Sequence, residues 1–183
     1  MTLDSTLNGC VSTTIRQIRA SELKHVITDL TDVFADIVNN ESPLGFLPPI
    51  TRETSRDYWI SLLPELGTGG RILLVACGDG GKILGSGQLS LSQRQNSPHR
   101  AEVQRLFVAR TSRGQGIGTM LMVALHHVAQ KHGRTLITLS TRSGEPPESF
   151  YQSLGYKTAG VIPGWTIGRN GERYDHVTMY IDL

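Results

Sequence analysis

The stretch TSRGQGIGT at 111–119 sets three glycines at alternate positions, Gly114, Gly116 and Gly118, with Arg113 just before them. A strand-like run precedes it and an amphipathic run follows, so the chain must make a tight glycine-rich turn that opens a helix. The first N–H groups of any helix lack partners within it. Such a turn is suited to phosphate, because those donors and the helix dipole both favour an anion.

The flanks support that reading. AEVQRLFVA (101–109) alternates Val103, Arg105 and Phe107 against Glu102, Gln104, Leu106 and Val108, as a strand does. Beyond Gly116, the residues Ile117, Met120, Leu121, Ala124, Leu125, Val128 and Ala129 recur on one helical face. Gly133 ends that helix, and Lys131 and His132 suit its C-terminal end.

The rest of the chain reads as one mixed α/β domain over 11–183, behind a loosely held leader, 1–10. VSTTIRQI (11–18) is β-branched and strand-like. In 21–40, Leu23, Val26, Ile27, Leu30, Val33, Phe34 and Ile37 keep helical spacing, with Ser21 as the expected cap. A second helix is expected from about Thr51 to Leu63, with Tyr58, Ile60 or Trp59, Leu62 and Leu63 as its apolar members. RILLVAC (71–77) and ILGSGQLSLS (83–92) flank the turn GDGGK and form a hairpin. TLITLST (135–141) is a strand and EPPESFYQSLG (145–155) a short helix. YKTAGVI (156–162) and YDHVTMYID (174–182) are closing strands.

A net charge of +2 over 183 residues gives no case for nucleic acid as a partner. The two cysteines cannot build a disulfide framework, and the start of the chain has neither the basic nor the apolar segment of a secretory signal. No apolar stretch approaches a membrane span. A soluble cytoplasmic protein is expected. The six histidines show no ligand spacing with Cys or carboxylates, so no metal site is expected.

Three phosphate loops compete for the glycine stretch. A Walker A loop requires Lys and Ser/Thr after its last glycine, and only Thr119 follows here. A dinucleotide turn requires G-x-G-x-x-G directly after the strand and an acid about twenty residues on; the third glycine is one place early, and the next strand ends in Ser140, Thr141 and Arg142. RGQGIG does match Arg/Gln-x-x-Gly-x-Gly/Ala, at Arg113, Gly116 and Gly118. That motif, with FYQSLGY at 150–156, resembles the GNAT N-acetyltransferases over roughly residues 13–181. LGFLPPITRE, SGQLSLSQ, HRAEVQRLFV and the IPGW tail are similar to the tabtoxin-resistance group within them.

The resemblance implies a mostly antiparallel sheet of about seven strands with a splayed fourth/fifth pair and four helices. It implies acetyl-CoA as cosubstrate and direct transfer in a ternary complex to the amine of a small molecule, amino-acid-like or antibiotic- or toxin-like. The enzyme alternative is a protein acetyltransferase, and the non-enzyme alternative an acyl-CoA-binding sensor. The pyrophosphate falls to Arg113, Gly114, Gln115, Gly116, Ile117, Gly118 and Thr119. The pantetheine arm falls to the backbone of Leu106, Phe107 and Val108, with the Leu106 N–H nearest the thioester.

A primary amine with a pKa near 10 must lose a proton before it attacks; the resemblance gives that task to Glu102. It gives Tyr151 the protonation of the departing thiolate. Glu41, Phe46 and Leu47, in the loop after the first long helix, are the expected acceptor contacts. His176 is read as a surface residue, with the cleft as the alternative. Ser140 stands where the tabtoxin-resistance pattern carries Asp. Many relatives dimerise, so a homodimer is possible.

Overall fold

The computed structural model describes residues 12–183; the leader 1–10, with Cys10, lies outside them. Seven strands form one sheet: β1 Thr14–Ile18, β2 Arg71–Cys77, β3 Ile83–Leu91, β4 Arg100–Val108, β5 Leu136–Arg142, β6 Lys157–Ile167 and β7 Arg173–Asp182. Their spatial order is β1-β2-β3-β4-β5-β7-β6, and only β4–β5 is parallel. The helices are α1 Leu23–Asn40, α2 Arg52–Ser61, α3 Leu63–Thr68, α4 Ile117–Lys131 and α5 Pro146–Ser153. The four expected helices are there, and the short α3 continues the second.

Both faces of the sheet are covered. Ile117, Leu121, Met122, Leu125 and Ala129 of α4 pack on Ile72, Leu74, Leu89 and Val103. On the other face, Leu30, Phe34 and Ile37 of α1, with Trp59, meet Leu73, Val75 and Phe107. β2 lies between these layers and is buried from Ile72 to Cys77, which explains its unbroken apolar run.

Several local expectations change. Ser21 does not cap α1; it lies inside a 3-10 turn, Ala20–Glu22, and the Glu22 carboxylate accepts from the Arg19 N–H at 3.1 Å. Thr51 caps α2, accepting from the Thr54 N–H at 3.0 Å. The buried stripe of that segment is Ser55, Trp59 and Leu62, whereas Ile60 and Leu63 face outward. β6 runs on to Ile167. As an edge strand it tolerates Pro163, which falls in a register irregularity between Ile162 and Thr166.

Two irregularities shape the middle of the sheet. β4 and β5 pair at only three positions, Arg100↔Leu136, Ala101↔Ile137 and Glu102↔Thr138, and then part. Against β3, the pairing steps from Gln88↔Gln104 to Ser86↔Phe107, so Arg105 and Leu106 together oppose Gly87. This is a β-bulge, with Arg105 at φ 50°. It corrects the expected alternation: Val103 faces α4, while Phe107, two pleats on, faces α1 and α2.

Candidate active site

Where β4 and β5 part, a cleft of about 350 Å³ opens. Glu102–Leu106 of β4 line one side, and Ser140–Arg142 of β5 the other. Tyr151 of α5, Trp165 of β6 and His176 of β7 complete the wall, with Ser42–Gly45 from the loop after α1. Glu102 sits on the last paired rung before the splay, so its side chain stands at the mouth of the opening. Glu102 and Leu106, four residues apart on β4, thus meet the distant Tyr151 in one place.

Tyr151 is 8% exposed, and its ring packs against Phe150 at 5.3 Å and Tyr156 at 5.9 Å between centroids. Burial pushes its pKa up to about 12, so the hydroxyl keeps its proton at neutral pH. Tyr156 is anchored in turn by His126, whose Nε2 lies 2.8 Å from the Tyr156 hydroxyl.

The glycine loop leads into α4. Gly116 is the residue before the helix, at φ 76°, and Gly114 lies at φ 74°. A Cβ on either would meet nothing within 4 Å, so backbone conformation, not space, requires glycine at both. Gly118 differs: a Cβ there would lie 3.3 Å from the Phe150 ring. Gln115 and Thr119 are exposed, and the Ile117 side chain is buried. No side chain caps α4. Its first N–H groups remain available, as a diphosphate requires. The residues present therefore fit the pyrophosphate of coenzyme A.

Arg113 spans two parts of the fold. Its guanidinium pairs with Glu41 at the end of α1, and its Nε donates to the Val108 carbonyl at 3.2 Å. Glu41 is thus engaged by the phosphate loop and lines a neighbouring hollow rather than the cleft. Phe46 is also absent from the cleft lining; it packs into the core against Phe34 and Tyr58, at 5.4 Å from each. Leu47 is 54% exposed. The loop does wall the cleft, but through Ser42, Pro43, Leu44 and Gly45. Of the three expected pantetheine residues, Leu106 lines the cleft, Phe107 is buried beside Phe34, and Val108 packs toward α4.

Sequence reasoning missed three cleft residues. Arg105 lies within 5.8 Å of the Phe46 centroid and 5.6 Å of the Tyr58 centroid. Arg142 lies 3.7 Å over the Tyr174 ring. Trp165 stacks on His176 at 6.2 Å, which makes His176 a cleft residue rather than a surface one. Burial, and then Arg142, hold the His176 pKa below its usual range. The bulge and the continuation of β6 bring Arg105 and Trp165 in, and neither had a sequence signal. Among the described residues, no three His, Cys, Asp or Glu side chains group as metal ligands would, and no helix is long and apolar enough to cross a membrane.

Residues 69–158 match the family model of the acetyltransferase (GNAT) domain. That segment, from just before β2 into the start of β6, is similar to GNAT acetyltransferase domains. An uncharacterised N-acetyltransferase of Methanocaldococcus jannaschii is 35% identical over 66 residues, which span 36% of this chain and 29% of that protein. Solved structures share the fold. A ribosomal-protein-alanine N-acetyltransferase from Brucella melitensis aligns with TM-score 0.73 at 20% identity, covering 93% of this chain and 99% of that one. A phosphinothricin acetyltransferase from Sinorhizobium meliloti, in complex with acetyl-CoA, aligns with TM-score 0.72 at 20% identity, covering 93% and 88%. One of these proteins is named for a ribosomal protein and the other for a small molecule, at nearly equal likeness, so the GNAT fold alone does not choose the acceptor.

Proposed function

We propose that the chain is an N-acetyltransferase that moves the acetyl group of acetyl-CoA to the primary amine of a small molecule, amino-acid-like or antibiotic- or toxin-like. The observation that carries this reading is the meeting of Glu102, Leu106 and Tyr151 in the cleft beside the splayed strands. A cleft of about 350 Å³ suits a small molecule and favours it over a protein acceptor.

Acetyl-CoA would supply an activated acyl thioester; the chain's residues supply orientation and protons. The open N-terminus of α4, with Gly114 and Gly116 giving close backbone access, holds the diphosphate. Arg113 adds its charge there on leaving Glu41. The backbone of Leu106–Val108, unpaired on the β5 side, holds the pantetheine arm. Its Leu106 N–H is aimed at the oxygen on which negative charge develops. Glu102 takes the ammonium proton, directly or through water. Tyr151, kept protonated by burial, delivers its proton to the departing sulfur.

The resemblance to the tabtoxin-resistance group favours an amino-acid-like acceptor. Ser140 lines the cleft where that group carries Asp, so Glu102 acts as the base alone. We place the enzyme in the cytoplasm, with a homodimer as a possible assembly. The test is an acetylation assay over amino acids, dipeptides, polyamines, aminoglycosides and peptides with free Lys or N-terminal amines. Transfer to a small amine is expected. Transfer to peptides alone would favour the protein acetyltransferase, and tight acetyl-CoA binding without any transfer the sensor.

A further inference from the structure

Arg105 stands out among the cleft residues. Its guanidinium makes no hydrogen bond and no ion pair among the described residues, and its Nε is fully enclosed. Enclosing an unmatched arginine is costly. By contrast, Arg71 donates to Glu65, Gln88 and Gln104, and the terminal nitrogen of Arg142, in the same cleft, faces Glu145 at 3.4 Å.

The fold holds Arg105 where it is. Phe46 and Tyr58 stack beside it, and Tyr58 is fixed by Gln88 at 2.8 Å. On its other side is Gly45, where a Cβ would lie 2.7 Å from one terminal nitrogen and 2.8 Å from the other. Leu44 and Arg105 are the non-glycine residues at positive φ among the described residues, at 43° and 50°, and both line the cleft. Such strain persists where the surrounding structure over-determines it, and it collects at functional sites. Two further enclosed polar atoms without partners, Arg142 Nε and Thr166 Oγ1, belong to the same walls.

The charges facing the cleft are Glu102, Arg105, Arg142 and Glu145, with Tyr151 and His176 as the remaining titratable groups. Arg142 and Glu145 face each other, which leaves Glu102 and Arg105. These are opposite charges three residues apart on one strand, about 10 Å along the backbone. We propose that Arg105 binds an oxoanion of the acceptor, so that the acceptor is a small amine that also carries a carboxylate or phosphorus oxoacid group. The amine then lies toward Glu102 and the oxoanion on the guanidinium fork, whose paired donors match either oxoacid. This rests on the small-molecule reading above and narrows it.

The experiment compares matched amines: amino acids, their carboxamides and the corresponding aminophosphonates. Binding to the coenzyme-A-loaded protein is read by ligand-observed NMR, and acetylation by thiol release. The oxoacid members are expected to bind and react at least roughly tenfold better than the carboxamides. Arg105→Gln should erase that preference while leaving the acetyl-CoA KM unchanged, and Arg105→Lys should restore part of it. The relative importance of carboxylate and phosphonate names the natural oxoanion.

Equal binding of acids and amides by the wild-type protein, or binding of neither, overturns the proposal without recourse to any variant. A preference that survives in folded Arg105→Gln overturns the assignment to Arg105. Selective binding of acids with no acetylation would leave the anion site standing and remove the small-molecule transferase reading, so the two failures are distinct.

Discussion

In the proposed reaction Tyr151 holds a proton until sulfur departs, and its burial keeps that proton in place. An unfolded tyrosine ionises near 10, while the folded Tyr151 ionises at about 12. The folded state is therefore favoured fully below about pH 10, and this advantage is lost as pH rises from about 10 through about 12, by at most about 3 kcal/mol. Thermal melts over that window should show a smaller alkaline loss in Tyr151→Phe than in the wild type. The same variant should lower kcat by roughly 10²-fold with little change in acetyl-CoA affinity. A fully active Phe variant would return Tyr151 to a packing role beside Phe150 and Tyr156. Arg105 shows what single residues hid. Strict alternation pairs it with Val103 and Phe107, and nothing in AEVQRLFVA signals the extra residue that turns it into the cleft.

At the scale of elements, the glycine loop and α4 act as one device. Both Gly114 and Gly116 have room for a side chain but the wrong backbone angle for one. Gly116→Glu should abolish coenzyme-A binding by calorimetry, through bulk and repulsion at the open helix end. Unchanged affinity would remove the phosphate site. Arg113 is borrowed by Glu41, so Glu41→Gln should tighten acetyl-CoA binding by roughly two- to fivefold, the scale of a half-exposed ion pair. The loop and α4 were legible because glycine spacing and a 3.6-residue period are local signals. The loop after α1 was not. Phe46 and Leu47 are apolar enough to wall a pocket, but Phe46 fills the core and the preceding Ser42–Gly45 segment reaches the cleft. β6 runs past the expected end at Ile162 to Ile167, and its edge position makes Pro163 tolerable.

For the whole molecule, element order and the sheet were readable because each strand and helix has its own pattern. The splay came only through the family resemblance and the bulge had no signal at all, because both arise from how strands meet. Yet these two irregularities shape the cleft. Trp59 is the largest side chain fully enclosed in the α1–α2 layer, and Trp59→Ala should cost roughly 3–5 kcal/mol of stability in chemical denaturation. Its choice over Ile60 as the buried member was a matter of helix rotation that composition could not set. The central claim is acetyl transfer driven from Glu102 at the splay. It is tested most directly by release of free coenzyme-A thiol from acetyl-CoA across the amine panel, in the wild type and in Glu102→Gln. Amine-dependent release that falls by roughly 10²-fold in the variant, with acetyl-CoA still bound, is the expected result. Release that Glu102→Gln leaves intact, or none with any amine or peptide, would contradict it.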